Sequence, residues 1–456
     1  MLHLRPRALA ALAACALAGC ASTAIDDNAA AAHAELRARG APDFSWLADA
    51  PARERARADV EAALARPLTE DDAVRIALAH DPVLQAALFE RAAQSADLTQ
   101  SARPANPVFE FERLAAGGAP GRLEVTRSLT LPLADLLLWP ARARAADAAQ
   151  QSTRLALAAD VLRRADDARR AWIAAVADAQ SAEYAGRIRD AAQAGAELAR
   201  RLEATGSFSA LQRAREEAWA LGAAADAREQ LRAARAAREA LVRALGLDDA
   251  LAARLALPAS LPEPPAEAPA APGELQPALA GRLDVRLAQA RLEALARAQG
   301  WLASGRVVDG LALGGVHKDQ TGEPRERGVD LTLPLPVFDP GDAARAGAQA
   351  RCEAALQRAA AVGVAAASQL RGAQADLQGE WTQAREADTR GVPLQAAITR
   401  ETLLRYNGML ASPFDLLSQA REQARSVQQA IAARRGYWLA DAAWQAALAG
   451  AGEEAS

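Results

Sequence analysis

The sequence predicts a mainly α-helical protein with a small β part. Three observations predict this fold class: long stretches without proline that are rich in helix formers, four short segments in which apolar and polar residues alternate, and an internal duplication. Hydrophobic residues make up 51% of the chain, but aromatic residues only 4%, and much of the remainder is alanine. Such small side chains favour long, closely packed helices over one thick globular core.

The N-terminus has the order of a bacterial signal peptide. Arg5 and Arg7 precede an apolar run that ends in Leu-Ala-Gly-Cys at 17–20, which resembles the lipobox of bacterial lipoproteins. We therefore predict a signal peptide over residues 1–19 and a lipid on Cys20, which would leave Cys352 without a disulfide partner. The alternatives are an ordinary signal peptide or a short membrane anchor, although the run is too short to span a bilayer. Ala21 in place of aspartate fits onward transport to an outer membrane.

An internal duplication organises the rest of the chain. The string Leu-Thr-Leu-Pro-Leu occurs at 129–133 and again at 331–335, an offset of 202 residues, and Gly206 and Gly408 have the same offset. The string Ala-Arg-Glu at 214–216 returns 206 residues later, which indicates about four inserted residues after the second glycine. Several matches in the same order indicate that one structural unit occurs twice.

Each predicted repeat contains a helix, a strand pair and a long helical hairpin. A stretch rich in proline, alanine and glutamate between the repeats predicts an extended linker. The predicted segments are the signal peptide 1–19, an N-terminal segment 20–66, the first repeat 67–250, the linker 251–274 and the second repeat 275–456.

The elements of the first repeat follow from local signals. A capping box at 69–72 predicts the start of a helix toward Arg103, and Pro104 and Pro107 end it. Helix formers fill residues 141–205, which would extend roughly 100 Å as one helix before a tip at Gly206. The other predicted elements are strands at 108–114, 123–133, 307–316 and 329–337, a helix from 275, and hairpin helices ending near 246, at 343–406 and at 414–449.

The strand segments predict a membrane-spanning part. Each segment has a length close to the roughly nine to eleven residues that a tilted strand needs to cross a bilayer. Strands in lipid must close into a barrel, and barrels start at about eight strands, so one chain is too few and three chains would supply twelve. The sequence thus predicts four strands per protomer in a trimeric twelve-stranded β-barrel. A soluble four-stranded sheet packed on its helices is the alternative, because it would alternate in the same way.

Two motifs in the second repeat carry a family resemblance. The string Leu-Thr-Leu-Pro-Leu-Pro-Val-Phe-Asp at 331–339 precedes a long helix, and Tyr-Asn-Gly at 406–408 precedes Phe-Asp-Leu-Leu at 414–417. With the duplicated order of elements after a lipobox, they resemble the TolC-type outer-membrane efflux channels over about residues 67–450. The resemblance implies a homotrimer whose β-barrel lies in the outer membrane of a Gram-negative bacterium and whose long helical hairpins form an α-barrel across the periplasm. It also implies a passive conduit that docks through a periplasmic adaptor protein onto an inner-membrane pump.

The resemblance also assigns roles at the hairpin tips. It implies that the tips dock the adaptor, although the two glycines would serve equally as left-handed turns between helices. Acidic residues after the second tip ring a closed periplasmic gate in the family; Asp415 matches this pattern, and Ser418 stands where a second acid can occur. A role for Asp415 as a helix cap is the alternative. The expected docking residues are Gly206, Ser207, Phe208, Ser209, Ala210 and Leu211 in the first tip, and Gly408, Met409, Leu410, Ala411 and Ser412 in the second.

The sequence has no recognisable catalytic pattern. No histidine and cysteine cluster has zinc spacing, no glycine-rich loop precedes a helix as a phosphate cradle, and no Gly-x-Ser-x-Gly elbow occurs. Asp71, Asp72, His80 and Asp81 come closest to a metal site, but helix ends attract such groups in any case. We therefore expect no enzyme activity, no cofactor and no bound metal. Arginines interleaved with acids argue against a nucleic-acid partner.

Two function classes follow from this pattern. The first is a passive outer-membrane conduit, and the second is a periplasmic structural or adaptor lipoprotein whose coiled coil contacts a partner. An adaptor would have one helical hairpin flanked by small β domains, whereas this sequence predicts two hairpins, each preceded by a strand pair. The pattern favours the conduit, and the family's commoner use favours small molecules or metal ions over polypeptides as its substrates.

Overall fold

The computed structural model describes residues 23–39, 42–115, 123–270, 275–308, 310–333, 335, 338 and 341–451. This part of the chain is mainly helical and contains one four-stranded sheet. None of its helices combines the length and the apolar character that crossing a bilayer requires. The predicted fold class, mainly α with a small β part, is confirmed.

The helices occur in the predicted order around two strand pairs. Their bounds are α1 Thr23–Ala38, α2 Ala50–Ala63, α3 Glu70–His80, α4 Pro82–Ala102, α5 Leu133–Ala204, α6 Ala210–Ala244, α7 Asp249–Ala252, α8 Leu275–Gly281, α9 Leu283–Val308, α10 Asp342–Glu386, α11 Val392–Asn407 and α12 Pro413–Ala449. The strands are β1 Val108–Ala115, β2 Leu123–Pro132, β3 Ala312–Gln320 and β4 Glu326–Thr332. A π-helical turn, Ala387–Gly391, separates α10 from α11.

The chain forms two compact units, and each takes segments from both predicted repeats. The first unit contains Thr23–Ala34 and the described parts of Phe89–Leu157 and Val285–Gly363. The second contains Glu35–Leu88, Ala158–Asp284 and the chain from Val364 onward. The sheet belongs to the first unit, and both hairpin tips belong to the second.

The sheet of the first unit is antiparallel in the order β1-β2-β3-β4. Its central pair, β2 with β3, joins the two halves of the sequence, with Leu131 opposite Leu313 and Thr126 opposite Lys318. The outer strands β1 and β4 each pair on one side only among the described residues. The sheet therefore has two open edges in a single chain.

One face of this sheet carries a band of exposed apolar side chains. In the single chain the band consists of Phe109, Phe111, Leu129, Leu131, Leu313, Val329 and Leu331. The opposite face carries mostly polar residues: Glu110, Glu112, Thr126, Ser128, Thr130, Lys318 and Asp330. Arg127, which interrupts the apolar row in the sequence, lies on the apolar face and pairs with Asp319 at 3.3 Å. The apolar band thus ends at a charged rim.

Two predicted strands were misplaced. The strand predicted at 307–316 begins at Ala312, because α9 continues to Val308 and the chain then turns at Gly310, whose φ is +79°. The strand predicted at 329–337 runs from Glu326 to Thr332, and Val337 lies outside the described residues. In the first case, adjacent β-branched residues at the end of α9 favoured a strand in the prediction. In the second case, the alternation of apolar and polar residues continues past the end of β4.

The long helix of the first hairpin also begins earlier than predicted. It starts at Leu133 rather than at residue 141 and contains Pro140. Within the helix, the proline removes the hydrogen bond that its N–H would have donated to the carbonyl of residue 136, and its ring crowds that carbonyl. Arg142 donates from Nη2 to the neighbouring carbonyl of Asp135 at 3.1 Å. One side-chain donor thus reaches the turn that contains the proline, and the helix continues to Ala204.

The second unit contains two apolar clusters. In the first, Trp172 packs with Leu68 and Leu241, and its indole Nε1 donates to the carbonyl of Leu68 at 2.8 Å. The second cluster lies between α10 and α12 and contains Leu370, Leu377, Ala384, Ala433, Tyr437, Ala440, Trp444 and Ala447. The first cluster includes the end of α6 and the second the end of α12, so both contain helix ends that lie away from the tips.

Candidate functional site at the hairpin tips

The first tip turns at Gly206, as the sequence predicts. Gly206 has φ +77°, a left-handed conformation that glycine adopts without a steric penalty. Its N–H donates to the carbonyl of Glu203 at 2.8 Å, and the N–H of Ser207 donates to the carbonyl of Leu202 at 2.8 Å. These bonds satisfy carbonyls at the end of α5.

The second tip turns at a different residue from the one expected. Gly408 has an ordinary φ of −84°, and Met409 takes the left-handed conformation with φ +60°. The N–H of Met409 donates to the carbonyl of Tyr406 at 3.0 Å, and that of Leu410 to the carbonyl of Arg405 at 2.8 Å. The hydrogen bonds of the two tips therefore match at an offset of 203 residues rather than 202, so the interpretation of Gly408 as the left-handed turn is wrong.

The same offset relates the helix starts after the tips. Ser209 and Gln212 form a capping box at the start of α6, and Ser412 and Asp415 form one at the start of α12. The second repeat therefore has one inserted residue by the end of its tip. The rest of the 206-residue offset between the Ala-Arg-Glu strings arises further along the helices that follow the tips.

Asp415 occupies the capping position that we considered as the alternative to a gate. Its carboxylate accepts from the Ser412 N–H at 2.9 Å and from the Ser412 hydroxyl at 2.8 Å. These two bonds, led by the backbone one, lower the pKa of Asp415 below its usual value. The side chain is otherwise exposed, and Ser418 is half-buried one turn later. Capping does not consume the second carboxylate oxygen.

The exposed apolar surface of the tips is concentrated in the second tip. Met409 is 94% exposed and Leu410 is 81% exposed, whereas Phe208 in the first tip is only 7% exposed. Leu211 is the other exposed large apolar residue among the expected docking residues. Phe208 is therefore buried within the single chain, and an interacting partner would meet Leu211, Met409 and Leu410.

A buried ion pair joins the two hairpins about two turns after the starts of α6 and α12. Glu216 of α6 is fully buried and receives a hydrogen bond from Arg421 of α12. The Arg421 guanidinium carbon lies 4.6 Å from the centre of the Trp219 ring, a cation–π contact. A Cβ on Gly195 would lie 3.5 Å from the Leu417 side chain, so α5 also approaches α12 closely here. In the sequence, Glu216 and Arg421 stand out only as members of the repeated Ala-Arg-Glu strings, which do not reveal this contact.

The residues considered as a metal site are separated by their helix-end roles. Asp72 accepts from the hydroxyl of Thr69 at 2.7 Å and pairs with Arg66, while Asp81 accepts from the N–H groups at the start of α4. Desolvation, followed by the nearby Arg57, lowers the pKa of His80. Within the described residues, no group of three or more histidine, cysteine, aspartate or glutamate side chains is arranged to hold a metal ion. Cys20 lies outside the described residues, and Cys352 is a free, half-buried thiol.

Replacing Met409 by glycine is expected to stabilise the second tip. A residue with a Cβ in the left-handed region costs about 1–2 kcal/mol, and the greater flexibility of unfolded glycine offsets about half of this. Hydrogen exchange of the backbone amides at 409 and 410, measured by mass spectrometry, should slow by a factor of roughly two to five. The reverse change, Gly206→Met, is the matched control and should speed exchange at the first tip. Unchanged exchange in both variants would contradict the strained turn.

Lowering the pH should weaken the cap of the second tip but not that of the first. Because the folded pKa of Asp415 lies below its unfolded value of 3.8, its contribution is present above that value and is lost as the pH falls through the folded pKa. Protection of the Ser412 amide, corrected for intrinsic exchange, should therefore fall below about pH 4. In Asp415→Asn, protection of the Ser412 amide should no longer depend on pH. At the first tip, protection of the Ser209 amide should not depend on pH either, because Gln212 is neutral. Equal pH dependence at both tips would contradict this assignment.

Solved structures with similar folds are outer-membrane channels. The CmeC outer membrane channel of Campylobacter jejuni matches with a TM-score of 0.70 and 15% identity, covering 85% of this chain and 87% of that one. CusC matches with a TM-score of 0.69 and 14% identity over 84% and 92% of the two chains. The open state of the MtrE outer membrane channel of Neisseria gonorrhoeae matches at 0.62 and 19% identity over 84% and 89%. No protein-family model and no curated protein matches the sequence.

Proposed function

The chain has the fold of TolC-type outer-membrane channels, and from this premise we propose that it is the passive outer-membrane channel of a tripartite efflux system. It conducts small molecules or metal ions from an inner-membrane pump and a periplasmic adaptor to the cell exterior. The fold has two helical hairpins and a sheet shared between the halves, whereas an adaptor would need only one hairpin. This difference favours the channel over the adaptor lipoprotein.

The observation that carries the proposal is the exposed apolar band on one face of the sheet. A soluble half-buried sheet would turn its apolar face toward its own helices and its polar face toward water. Here Val329 is 79% exposed, and its neighbours on that face are exposed as well. An outward apolar band with a charged rim and a polar opposite face suits strands between lipid and an aqueous lumen.

The open sheet edges support a homotrimer. In lipid, the unpaired backbone groups of β1 and β4 would each cost several kcal/mol, so both edges must pair with strands of other copies. Three copies supply twelve strands, enough for a closed barrel. The alanine-rich hairpin helices of the copies then close into an α-barrel in the periplasm, because small side chains allow close helix approach.

The N-terminal lipid would keep each chain at the outer membrane. Cys20 is the acceptor, and its acyl chains would insert into the periplasmic leaflet beside the barrel. A single acyl chain gives only marginal membrane binding, so the several chains of a bacterial lipoprotein matter most before the barrel has inserted. The anchor therefore assists assembly more than it serves conduction.

The gate proposal places Asp415 near the threefold axis at the periplasmic end, with Ser418 one turn further. Three carboxylates at one aperture would favour cations and oppose full ionisation. The capping bonds described above fix each carboxylate at the start of α12, which is compatible with a ring. Both roles thus use the same side chain through different oxygens.

Conductance of the purified protein in a planar bilayer tests the proposed function. The wild-type trimer should give discrete conductance steps, and Asp415→Asn should weaken its preference for cations. Gln212→Glu, at the equivalent capping position of the first tip, controls for a charge change at a helix start. A trimer that inserts but never conducts would overturn the channel proposal, whereas unchanged selectivity in Asp415→Asn would remove only the gate.

The tips are proposed to dock the adaptor, and Gly408 offers a clean test. A Cβ at this position has no neighbour closer than 3.6 Å and the backbone is unstrained, so Gly408→Asp should leave the turn intact. The added charge beside Met409 and Leu410 should abolish export in cells while trimers remain in the membrane. Gly408→Ala is the matched control and should export normally. Normal export by Gly408→Asp would leave the second tip as a turn only.

A further inference from the structure

The segment Leu261–Pro265, here called the strap, has the pattern of a polyproline ligand. Prolines at 262, 264 and 265 fix their own φ angles and restrict the residues before them to extended conformations. These restraints favour the polyproline II helix, which has three residues per turn. Burial follows the same period, because Leu261 and Pro264 are buried while Pro262, Glu263 and Pro265 are exposed.

Side chains of the second hairpin hold the strap by its carbonyl groups. The indole Nε1 of Trp438 donates to the carbonyl of Pro262 at 2.9 Å, and that of Trp381 donates to the carbonyl of Pro265 at 2.9 Å. These carbonyls are three residues apart, so a polyproline helix presents both on one side. Indole donors and an aromatic surface are the usual means by which proteins bind such helices.

The strap contacts both arms of the second hairpin. Trp381 belongs to α10 and Trp438 to α12. The ring of Tyr437 packs edge-to-face against Trp438 with centroids 5.1 Å apart, and burial raises the pKa of Tyr437 to about 12. Trp438 is therefore held by the apolar cluster between the arms, and the strap ties that cluster across its surface.

The strap also reaches the π-turn through Arg434. This side chain pairs with Asp388 of the π-turn at 2.9 Å and donates from Nη1 to the carbonyl of Leu261 at 3.4 Å. On one side of the π-turn, α10 contributes buried residues such as Leu377 and Ala384. On the other side, the described residues of the π-turn and α11 include none that is buried in the single chain. Packing within the hairpin thus changes at the π-turn.

We propose that the strap is a polyproline ligand bound in cis, and that it clamps the two arms of the second hairpin together next to the π-turn. The indole-lined site on α10 and α12 is its binding site. Because the clamp ends where buried packing ends, bending of the hairpin is confined to α11 and the facing part of α12. Any effect of this confined bending on the opening of a conduit rests on the proposed function, whereas the clamp itself does not depend on conduction.

Amide exchange of the intact protein tests the clamp. Trp381→Phe combined with Trp438→Phe removes both indole donors and keeps aromatic rings in place. We expect exchange of residues 377–391 to increase about 30-fold, which corresponds to about 2 kcal/mol for two hydrogen bonds. Exchange of residues 392–407 should change little, because the clamp does not hold that part.

Two control comparisons make the outcome decisive. Trp172→Phe removes the same kind of indole-to-carbonyl bond, to Leu68, and should leave residues 377–391 unchanged. A variant with alanine at 262, 264 and 265 keeps the donors but loses the stiff ligand; it should act like the double tryptophan variant, whereas Pro269→Ala should not. Unchanged exchange of residues 377–391 in both the double tryptophan variant and the variant with alanine at 262, 264 and 265 would overturn the clamp. Equally accelerated exchange of these residues in Trp172→Phe would overturn it too. A wild-type trimer that does not conduct, together with the expected exchange pattern in the variants, would count against the proposed channel and not against the clamp.

Discussion

Replacing Arg282 by methionine should lower the free energy of unfolding by about 3–5 kcal/mol, since it breaks a buried ion pair by removing one partner. Arg282 is fully buried between α8 and α9. Its guanidinium binds both carboxylate oxygens of Asp284, at 3.0 and 2.6 Å, the carbonyl of Ala447 at 2.6 Å and the side-chain oxygen of Gln369 at 2.8 Å. One side chain thus links the start of α9 to α10 and to the end of α12.

The loss should appear as a lower midpoint of thermal unfolding of the detergent-solubilised protein. Arg425→Met is the matched control, because Arg425 is exposed and, among the described residues, forms its ion pair with Glu422 one turn away. It should change stability by less than about 0.5 kcal/mol. Arg282→Lys keeps the charge but not the forked geometry, so we expect an intermediate loss. Equal midpoints for Arg282→Met and Arg425→Met would contradict this account.

Replacing Val329 by arginine should prevent stable insertion of the sheet. Val329 lies on the exposed apolar face, and an arginine facing the middle of a bilayer costs about 2–4 kcal/mol per copy. Three copies in the proposed trimer would multiply this cost. Membrane fractionation should therefore find the variant depleted from the outer membrane and absent as a trimer.

Gly328→Arg provides the control for this experiment. Gly328 is the neighbouring residue of β4 and lies on the polar face, and a Cβ there has no neighbour within 4 Å. Its arginine would face the aqueous side and should allow normal insertion. If the two variants insert equally, the apolar face does not meet lipid, and the soluble-sheet alternative regains support.

Local sequence signals predicted the elements better than their ends. Alternation placed β2 within one residue of its observed bounds, because turn-forming residues flank it on one side and a polar row marks its other face. It failed for β3, where a short apolar run suits either a helix end or a strand. The first long helix was predicted to begin only after Pro140, but it runs from Leu133 through the proline, because the loss at one turn is too small to end a helix of 72 residues.

The tips illustrate what a repeat can and cannot predict. The offset of the two glycines located both tips, but it assigned the left-handed turn to Gly408 instead of Met409. A one-residue insertion is invisible when only glycines are compared, whereas the capping boxes of Ser209 and Ser412 would have revealed it. Sequence similarity therefore located the tip, whereas the hydrogen bonds show which residue forms the left-handed turn.

Contacts between distant segments were beyond the sequence. Arg282, Glu216 and Arg421 sit in stretches full of exposed arginines and acids, and nothing local distinguishes the buried ones. The strap was predicted as an extended linker, and its composition does suit an extended chain. That two indoles hold it became visible only when the fold brought Trp381 and Trp438 beside it.

The pairing of β2 with β3 makes the two repeats dependent on each other during folding. The ion pair across this junction joins residues 192 positions apart, so the sheet has a high contact order. A nascent chain that ends after the first repeat can form only the β1-β2 hairpin, whose free β2 edge is a template for incorrect pairing. We therefore expect the sheet to be among the last parts to form after synthesis. Neither predicted repeat can therefore complete the sheet without the other.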